Sequence, residues 1–157
     1  MPLRYRLSVQ KKQKKYYSGK KKCHTAKVQL IMHYKTGQIL STSFAKGRVH
    51  DFKLFQKSLK YWLFKPSIII ADKGYTGLSK LGLPSLMAFK KFKNQPLHPY
   101  LRKLNIEINK RRIGVEHIFG ALKRFKILSY PYRNRRSRLG LRFNLIAAIF
   151  NLELSKK

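Results

Sequence analysis

Acidic residues are nearly missing from this chain. Its 157 residues include five Asp and Glu against 37 Lys and Arg, a formal charge of +32 and a pI near 10.8. That balance excludes a surface built from alternating ion pairs, and it excludes cationic partners. A chain so charged repels itself unless a polyanion is close by. Cysteine is almost absent too. Cys23 stands alone, which rules out an internal disulfide and any zinc site built on cysteines, and it reads as a partly buried thiol. No long apolar run is present. The longest, Leu145 to Phe150, is far below the roughly 20 residues that cross a bilayer. No secretory apolar segment opens the sequence, so the expected compartment is the cytoplasm, in association with the nucleoid. Apolar content is not lacking: 43% of residues are hydrophobic and 13% aromatic. This is a folding composition, unlike that of a disordered basic tail, and the length suits one domain, taken as residues 1–154.

The charge points to nucleic acid first and to an acidic membrane second. Basic residues run along the whole length rather than along one amphipathic helix, which favours nucleic acid. The densest clusters lie between Lys11 and Lys22 and between Arg133 and Arg138. Lys14, Lys15, Lys20, Lys21, Arg133, Arg135 and Arg136 are the expected phosphate contacts, without sequence readout. Tyr16, Tyr17, Tyr130 and Tyr132 are interleaved with them and could stack on bases. The alternative is a solvated basic surface.

Residues 1–22 read as a basic, irregular segment. Alternation begins after it: Ala26, Val28, Leu30, Met32 and Tyr34 oppose Thr25, Lys27, Gln29 and His33, the period of a strand with one buried face. Lys35-Thr36-Gly37-Gln38 predicts a turn, and Ile39 to Phe44 a returning strand. Phe52, Phe55, Leu59 and Trp62-Leu63 have helical spacing after His50-Asp51, with Asp51 as the expected N-cap and Pro66 as the stop. Residues 67–72 are apolar and β-branched and predict a buried strand. Residues 73–99 are rich in Gly and Pro and read as loop. A helix is expected from about Leu101 or Asn105 to Leu128, and another over 139–154. The order strand, strand, helix, strand, loop, helix, helix is that of an α/β layer protein.

With acids so scarce, each needs a reason. Asp72 ends the apolar run Pro66 to Ala71 and precedes Lys73-Gly74-Tyr75-Thr76-Gly77. It could simply start a turn. Against that, a carboxylate at the C-terminal end of a buried strand sits where open α/β sheets place ligands, and the flanking glycines permit close backbone approach. Glu116 shares a helical stripe with Asn109, Arg112 and Lys123, at spacings of seven, four and seven residues. An ordinary Arg112–Glu116 pair at i,i+4 is the simpler reading of that stripe. His117 reads as a packed histidine. A strand-end Asp and a helix Glu in a polyanion-binding chain suggest a site that holds divalent metal against phosphate.

Five motifs occur in order: Tyr16-Tyr17-Ser18-Gly19-Lys20-Lys21-Lys22; His24-Thr25; Gly47-x-x-His50-Asp51; Ala71-Asp72-Lys73-Gly74-Tyr75; and Arg112-x3-Glu116-x6-Lys123. Together they resemble the catalytic domain of DDE transposases from bacterial insertion sequences, over nearly the whole chain. The resemblance implies an RNase H-like α/β fold, a mixed sheet flanked by helices. It implies three acids that hold two Mg²⁺ or Mn²⁺ ions for DNA strand cleavage and strand transfer. Asp72 matches the second acid and Glu116 the third, as catalytic and metal-holding residues. Arg112 and Lys123 match the phosphate-binding cations of the Glu helix, while Asn109 stands where a tyrosine is common.

The first acid of the pattern has no match. It belongs to a segment just before the Lys-rich Tyr-Tyr-Ser-Gly stretch, and Met1-Pro2-Leu3 resembles the residues that follow it. The expected fold therefore lacks its first strand, and Asp51 is no substitute because the family pattern already has His-Asp there. Two acids suffice for one weakly held Mg²⁺ but not for a two-metal clamp. The resemblance thus implies a truncated enzyme that keeps DNA binding and is inactive alone. Its implied partners are DNA and an upstream-encoded N-terminal half, and a homodimer is compatible with it. Composition by itself would favour a non-enzymatic basic nucleic-acid-binding protein of ribosomal or nucleoid type.

Overall fold

The computed structural model describes residues 2–6, 16–19, 22–91, 95–132 and 138–156. The architecture is mixed α/β. Strands β1 (Pro2–Arg6), β2 (Tyr17–Ser18), β3 (Cys23–Met32) and β4 (Ile39–Lys46) form one sheet with β3 paired to each of the others, all antiparallel. Strands β5 (Ile69–Ala71) and β6 (Ser85–Met87) form a separate parallel pair. The helices are α1 (Asp51–Leu59), α2 (Pro99–Leu122), α3 (Lys126–Ser129) and α4 (Leu139–Ser155).

The β3–β4 hairpin forms as its sequence requires. His33 N–H donates to the Gln38 carbonyl (2.8 Å) and Gly37 N–H to the His33 carbonyl (2.9 Å), with Gly37 at φ +71°. Such a φ suits glycine. Val28 pairs with Phe44 and Leu30 with Thr42, and a bulge follows Ile31. At the far end of β4, a Cβ on Gly47 would stand 2.2 Å from Thr25 Oγ1 and 2.7 Å from the Tyr16 carbonyl. No larger residue fits where the two chain segments close on each other.

Strand β3 departs from the one-faced expectation. Thr25 through Leu30 are all buried. Val28 and Leu30 pack on Ile118, Phe119 and Leu122 of α2, Leu128 of α3, and Phe143, Ile146 and Ala147 of α4. On the alternate positions of β3, Lys27 reaches Asp51 of α1. Helices thus cover both sides of the strand, and its polar face is roofed rather than wet. Two asparagines seven residues apart on α4 fasten that helix to β4. Asn151 bonds both backbone groups of Ile39 (2.8 and 2.9 Å), and Asn144 accepts from Thr42.

Several expectations need correction. Residues 1–22 are not wholly irregular, since β1 and β2 lie within them; Leu3 and Tyr5 alternate in sequence with Arg4 and Arg6, a period masked by charge. One edge of β3 is paired with β1. His50, not Asp51, caps α1, its Nδ1 accepting from Phe52 N–H (3.3 Å). The helix stops at Leu59, well before Pro66. Helix α2 begins at Pro99, whose fixed φ suits the first turn, with His98 as the cap. The region 73–99 holds β6 and two short 3-10 turns, Lys73–Tyr75 and Ser79–Leu81.

A second, smaller apolar cluster surrounds β5. Phe55, Ala71, Tyr75 and Leu78 are buried there, with Phe52, Leu59, Trp62, Ile69, Leu83 and Met87 around them. Its rings meet mostly edge to face, Phe55 with Tyr75 at 5.8 Å and Phe55 with Trp62 at 5.4 Å, the arrangement that aromatic quadrupoles prefer. Gly77 is required here, because a Cβ would lie 2.3 Å from the Phe52 ring. Gly74 has open space, so close approach is needed at only one of the two glycines after Asp72. Among the described residues no helix is long and apolar enough to cross a membrane.

Candidate functional site

Asp72 follows β5 directly. One carboxylate oxygen accepts from Lys73 N–H (2.8 Å) and caps the 3-10 turn, so the turn-starting role is real. The same oxygen meets the Arg112 guanidinium at 3.5 Å. Arg112 Nη1 also donates to Asn109 Oδ1 (3.3 Å). Asp72 is 42% exposed and Arg112 20%. The contact joins residues 40 apart in sequence and turns the polar stripe of α2 toward the end of β5. Asn105 steadies that approach from one side, bonding both backbone groups of Phe89 after β6 (2.7 and 3.1 Å).

Arg112 therefore serves Asp72 rather than Glu116. Glu116 lies one helical turn further along α2, exposed. Four of the five acids have a cation: Asp51 with Lys27 (2.5 Å), Asp72 with Arg112 (3.5 Å), Glu107 with Lys110 (3.0 Å) and Glu153 with Arg124 (4.0 Å). Glu116 has none among the described residues. In a chain with more than seven cations per acid, that carboxylate is left open on the face that reaches Asp72. Lys123 caps the C-terminal end of α2 and is exposed. His117 is exposed, not packed, because the buried stripe of α2 passes through Ile118 and Phe119.

The basic clusters fare differently. Lys14, Lys15, Lys20, Lys21, Arg133, Arg135 and Arg136 lie outside the described residues. Tyr17 and Tyr130 are exposed. Tyr132 is buried and its hydroxyl accepts from Arg142 (2.9 Å), so it cannot stack on a base. Tyr16 is half-buried with the Lys46 ammonium over its ring. Cys23 is half-buried, as expected.

Sequence reasoning missed a buried network beside Asp72. Lys27, only 4% exposed, donates to Asp51 Oδ1 and to the Val49 carbonyl. Tyr75 is buried, and its hydroxyl has no partner among the described residues. Its pKa is pushed well above the ordinary tyrosine value, first by burial, then by the negative charges of Asp51 and Asp72. Two acids 21 residues apart thus act on one buried phenol. The available signal was the run Gly47-x-x-His50-Asp51, whose acid carried no assigned role beyond a cap.

The comparisons with known proteins bear on this arrangement. A family model described as DDE superfamily endonuclease matches residues 4–151. The chain belongs to the DDE superfamily endonucleases. It is similar to the probable transposase for insertion sequence element IS702 of Microchaete diplosiphon, with 49% identity over 149 residues, covering 94% of this chain and 53% of that protein. The chain spans about half the length of that curated relative. No solved structure matches.

DDE superfamily endonucleases use divalent metals. The donors here fit such an ion in part. Asp72 and Glu116 are hard carboxylates, suited to a cation that keeps several of its own waters. Among the described residues no three His, Cys, Asp or Glu side chains gather as a metal-holding group.

Proposed function

We propose that this chain supplies two of the three catalytic carboxylates, Asp72 and Glu116, of an insertion-element transposase. Its scaffold would be an RNase H-like sheet lacking the strand that carries the first acid. When bound in the intact protein, Mg²⁺ or Mn²⁺ would supply the Lewis acidity needed to activate water or a DNA 3′-hydroxyl against a phosphodiester. Asp72 and Glu116 would hold the ion. Arg112 and Lys123, with the basic segments around Lys14, Lys15, Lys20, Lys21, Arg133, Arg135 and Arg136, would bind phosphates. In this reading Arg112 neutralises Asp72 until DNA offers it a phosphate. Family membership and the transposase named above support the proposal. The Arg112–Asp72 contact carries it, because it brings the helix of the unpaired Glu116 to the end of β5.

Binding to two unrelated duplexes, followed as salt is raised, tests the DNA part. With six to ten phosphates neutralised, affinity should fall roughly 10³–10⁵-fold between 50 and 200 mM salt, nearly equally for both duplexes. Affinity that ignores salt would count against it. A nicking assay tests the catalytic part. Residues 1–157 alone should be inactive, and adding the half of the relative that this chain does not span should give metal-dependent nicking. Asp72→Ala or Glu116→Ala should abolish it. Strong nicking by residues 1–157 alone, lost in Glu116→Ala, would show that another group completes the site.

A further inference from the structure

The segment between α1 and β5 presents two apolar side chains to solvent from a rigid, basic mount. Past Leu59 the backbone makes one more hydrogen-bonded turn, Tyr61 N–H to Ser58 O (3.0 Å) and Trp62 N–H to Leu59 O (3.2 Å). From there side chains alternate inward and outward. Trp62 packs edge-on against Phe55 (5.4 Å) and stacks on Phe64 (4.9 Å, 16° between planes). Tyr61 is 83% exposed and Leu63 fully exposed. Trp62 belongs to the same cluster as Ala71 and Tyr75, which flank Asp72, so the projection is fixed to the scaffold of the candidate site. The only charged residues from 52 to 71 are Lys53, Lys57, Lys60 and Lys65, all exposed.

We propose that Lys60–Lys65 is a contact for unpaired DNA bases, distinct from the carboxylate site. Lys57, Lys60 and Lys65 hold backbone phosphates, and Tyr61 and Leu63 cover the faces of bases that have left the stack. The charge selects a polyanion. The outward aromatic selects an exposed base face, since every base has one and a paired duplex hides it. Inward anchoring by Trp62 and Phe64 means that little order is lost on contact. A membrane would also accept Tyr, Leu and Lys at a loop tip. This chain's membership in an endonuclease superfamily favours DNA, and the proposal rests on the DNA-binding reading above.

Trp62 is the only tryptophan in the chain, so its fluorescence reports this loop alone. The test titrates the full chain with a paired duplex and with the same duplex carrying an unpaired bubble, at one salt concentration. The expected result is tighter bubble binding with a change in Trp62 emission. The double variant Tyr61→Ala/Leu63→Ala should lose that preference by at least about fivefold. It should keep duplex binding within about twofold and unfold at the wild-type temperature, because both side chains are exposed. Lys57→Gln/Lys60→Gln should weaken binding to both DNAs and reduce the salt slope. An unchanged preference in the double variant overturns the inference, as does a wild-type chain that binds both DNAs equally; neither touches the broader reading. A chain that binds neither DNA overturns both. Binding to phosphatidylserine vesicles that the double variant loses, with DNA preference intact, would assign the loop to a membrane and overturn the inference.

Discussion

The two apolar clusters of this molecule are built to different rules. The larger is mainly aliphatic. It lies between the long strands β3 and β4 and helices α2, α3 and α4, with Val28, Leu122 and Phe143 sealed from solvent. The smaller is aromatic and surrounds a parallel pair of three-residue strands. Of the four buried polar atoms left without a partner among the described residues, Trp62 Nε1 and Tyr75 Oη lie in the smaller cluster, and Thr25 Oγ1 and Gln29 Oε1 lie on the polar positions of β3. Native folds seldom tolerate such atoms without a reason. The larger cluster supplies stability. The smaller one gives up some of it and carries Asp72 at its margin, with Lys27–Asp51 beside it.

Substitutions can break or sharpen that contrast. The largest loss is expected in the aliphatic cluster, where Phe143→Ala should cost about 3–5 kcal/mol in a denaturant titration. A loss under about 1 kcal/mol would mean that this cluster is not the main core. Next, Asp51→Ala leaves the Lys27 ammonium buried without its counterion. A loss of about 3 kcal/mol is expected, the low end for a broken buried pair because Asp51 is 30% exposed. Gly77→Ala should follow, at about 1–3 kcal/mol, because the new methyl group strikes the Phe52 ring.

The smallest effect is expected at Tyr75. Tyr75→Phe removes a hydroxyl that has no partner among the described residues, so stability at neutral pH should be nearly unchanged or slightly higher. Its signature is at alkaline pH. Because the folded state raises the Tyr75 pKa, it holds the proton more tightly than the unfolded chain does. The stability linked to that proton is complete below about pH 10 and is eroded as pH climbs toward the raised value. Urea titrations between pH 9 and 11 should therefore show a steeper decline for the wild type than for Tyr75→Phe. Parallel declines would mean that Tyr75 is more open to water, or less influenced by the Asp51 and Asp72 charges, than the fold implies.

What the sequence made legible was local. The strand β3, the β3–β4 turn and a strand just before Asp72 all follow from neighbouring residues, although that last strand is Ile69–Ala71 rather than 67–72, with only Ala71 buried and Ile68 exposed. What it hid was non-local. Lys27 reads as a solvent-facing position until Asp51, 24 residues away, comes over it. Arg112 reads as a partner of Glu116 because four residues is the helical distance, yet Asp72 takes it from 40 residues away. Trp62 continues the helical spacing of Phe55 and Leu59, which gives no sign that α1 has stopped and that Leu63 faces water. Charge hid β1 in the same way, since Arg4 and Arg6 interrupt a short strand period.

The central claim is that Asp72 and Glu116 hold one divalent cation between them. Iron-directed backbone cleavage tests it without requiring activity. Fe²⁺ substituted for Mg²⁺, with ascorbate and peroxide, cuts the chain beside the ion it occupies. The account predicts two sets of cuts, one around Asp72 and one around Glu116, suppressed together by excess Mg²⁺ or Mn²⁺ and both lost in Glu116→Ala. Cuts confined to one of the two segments, or cuts at both that persist in Glu116→Ala, would contradict it.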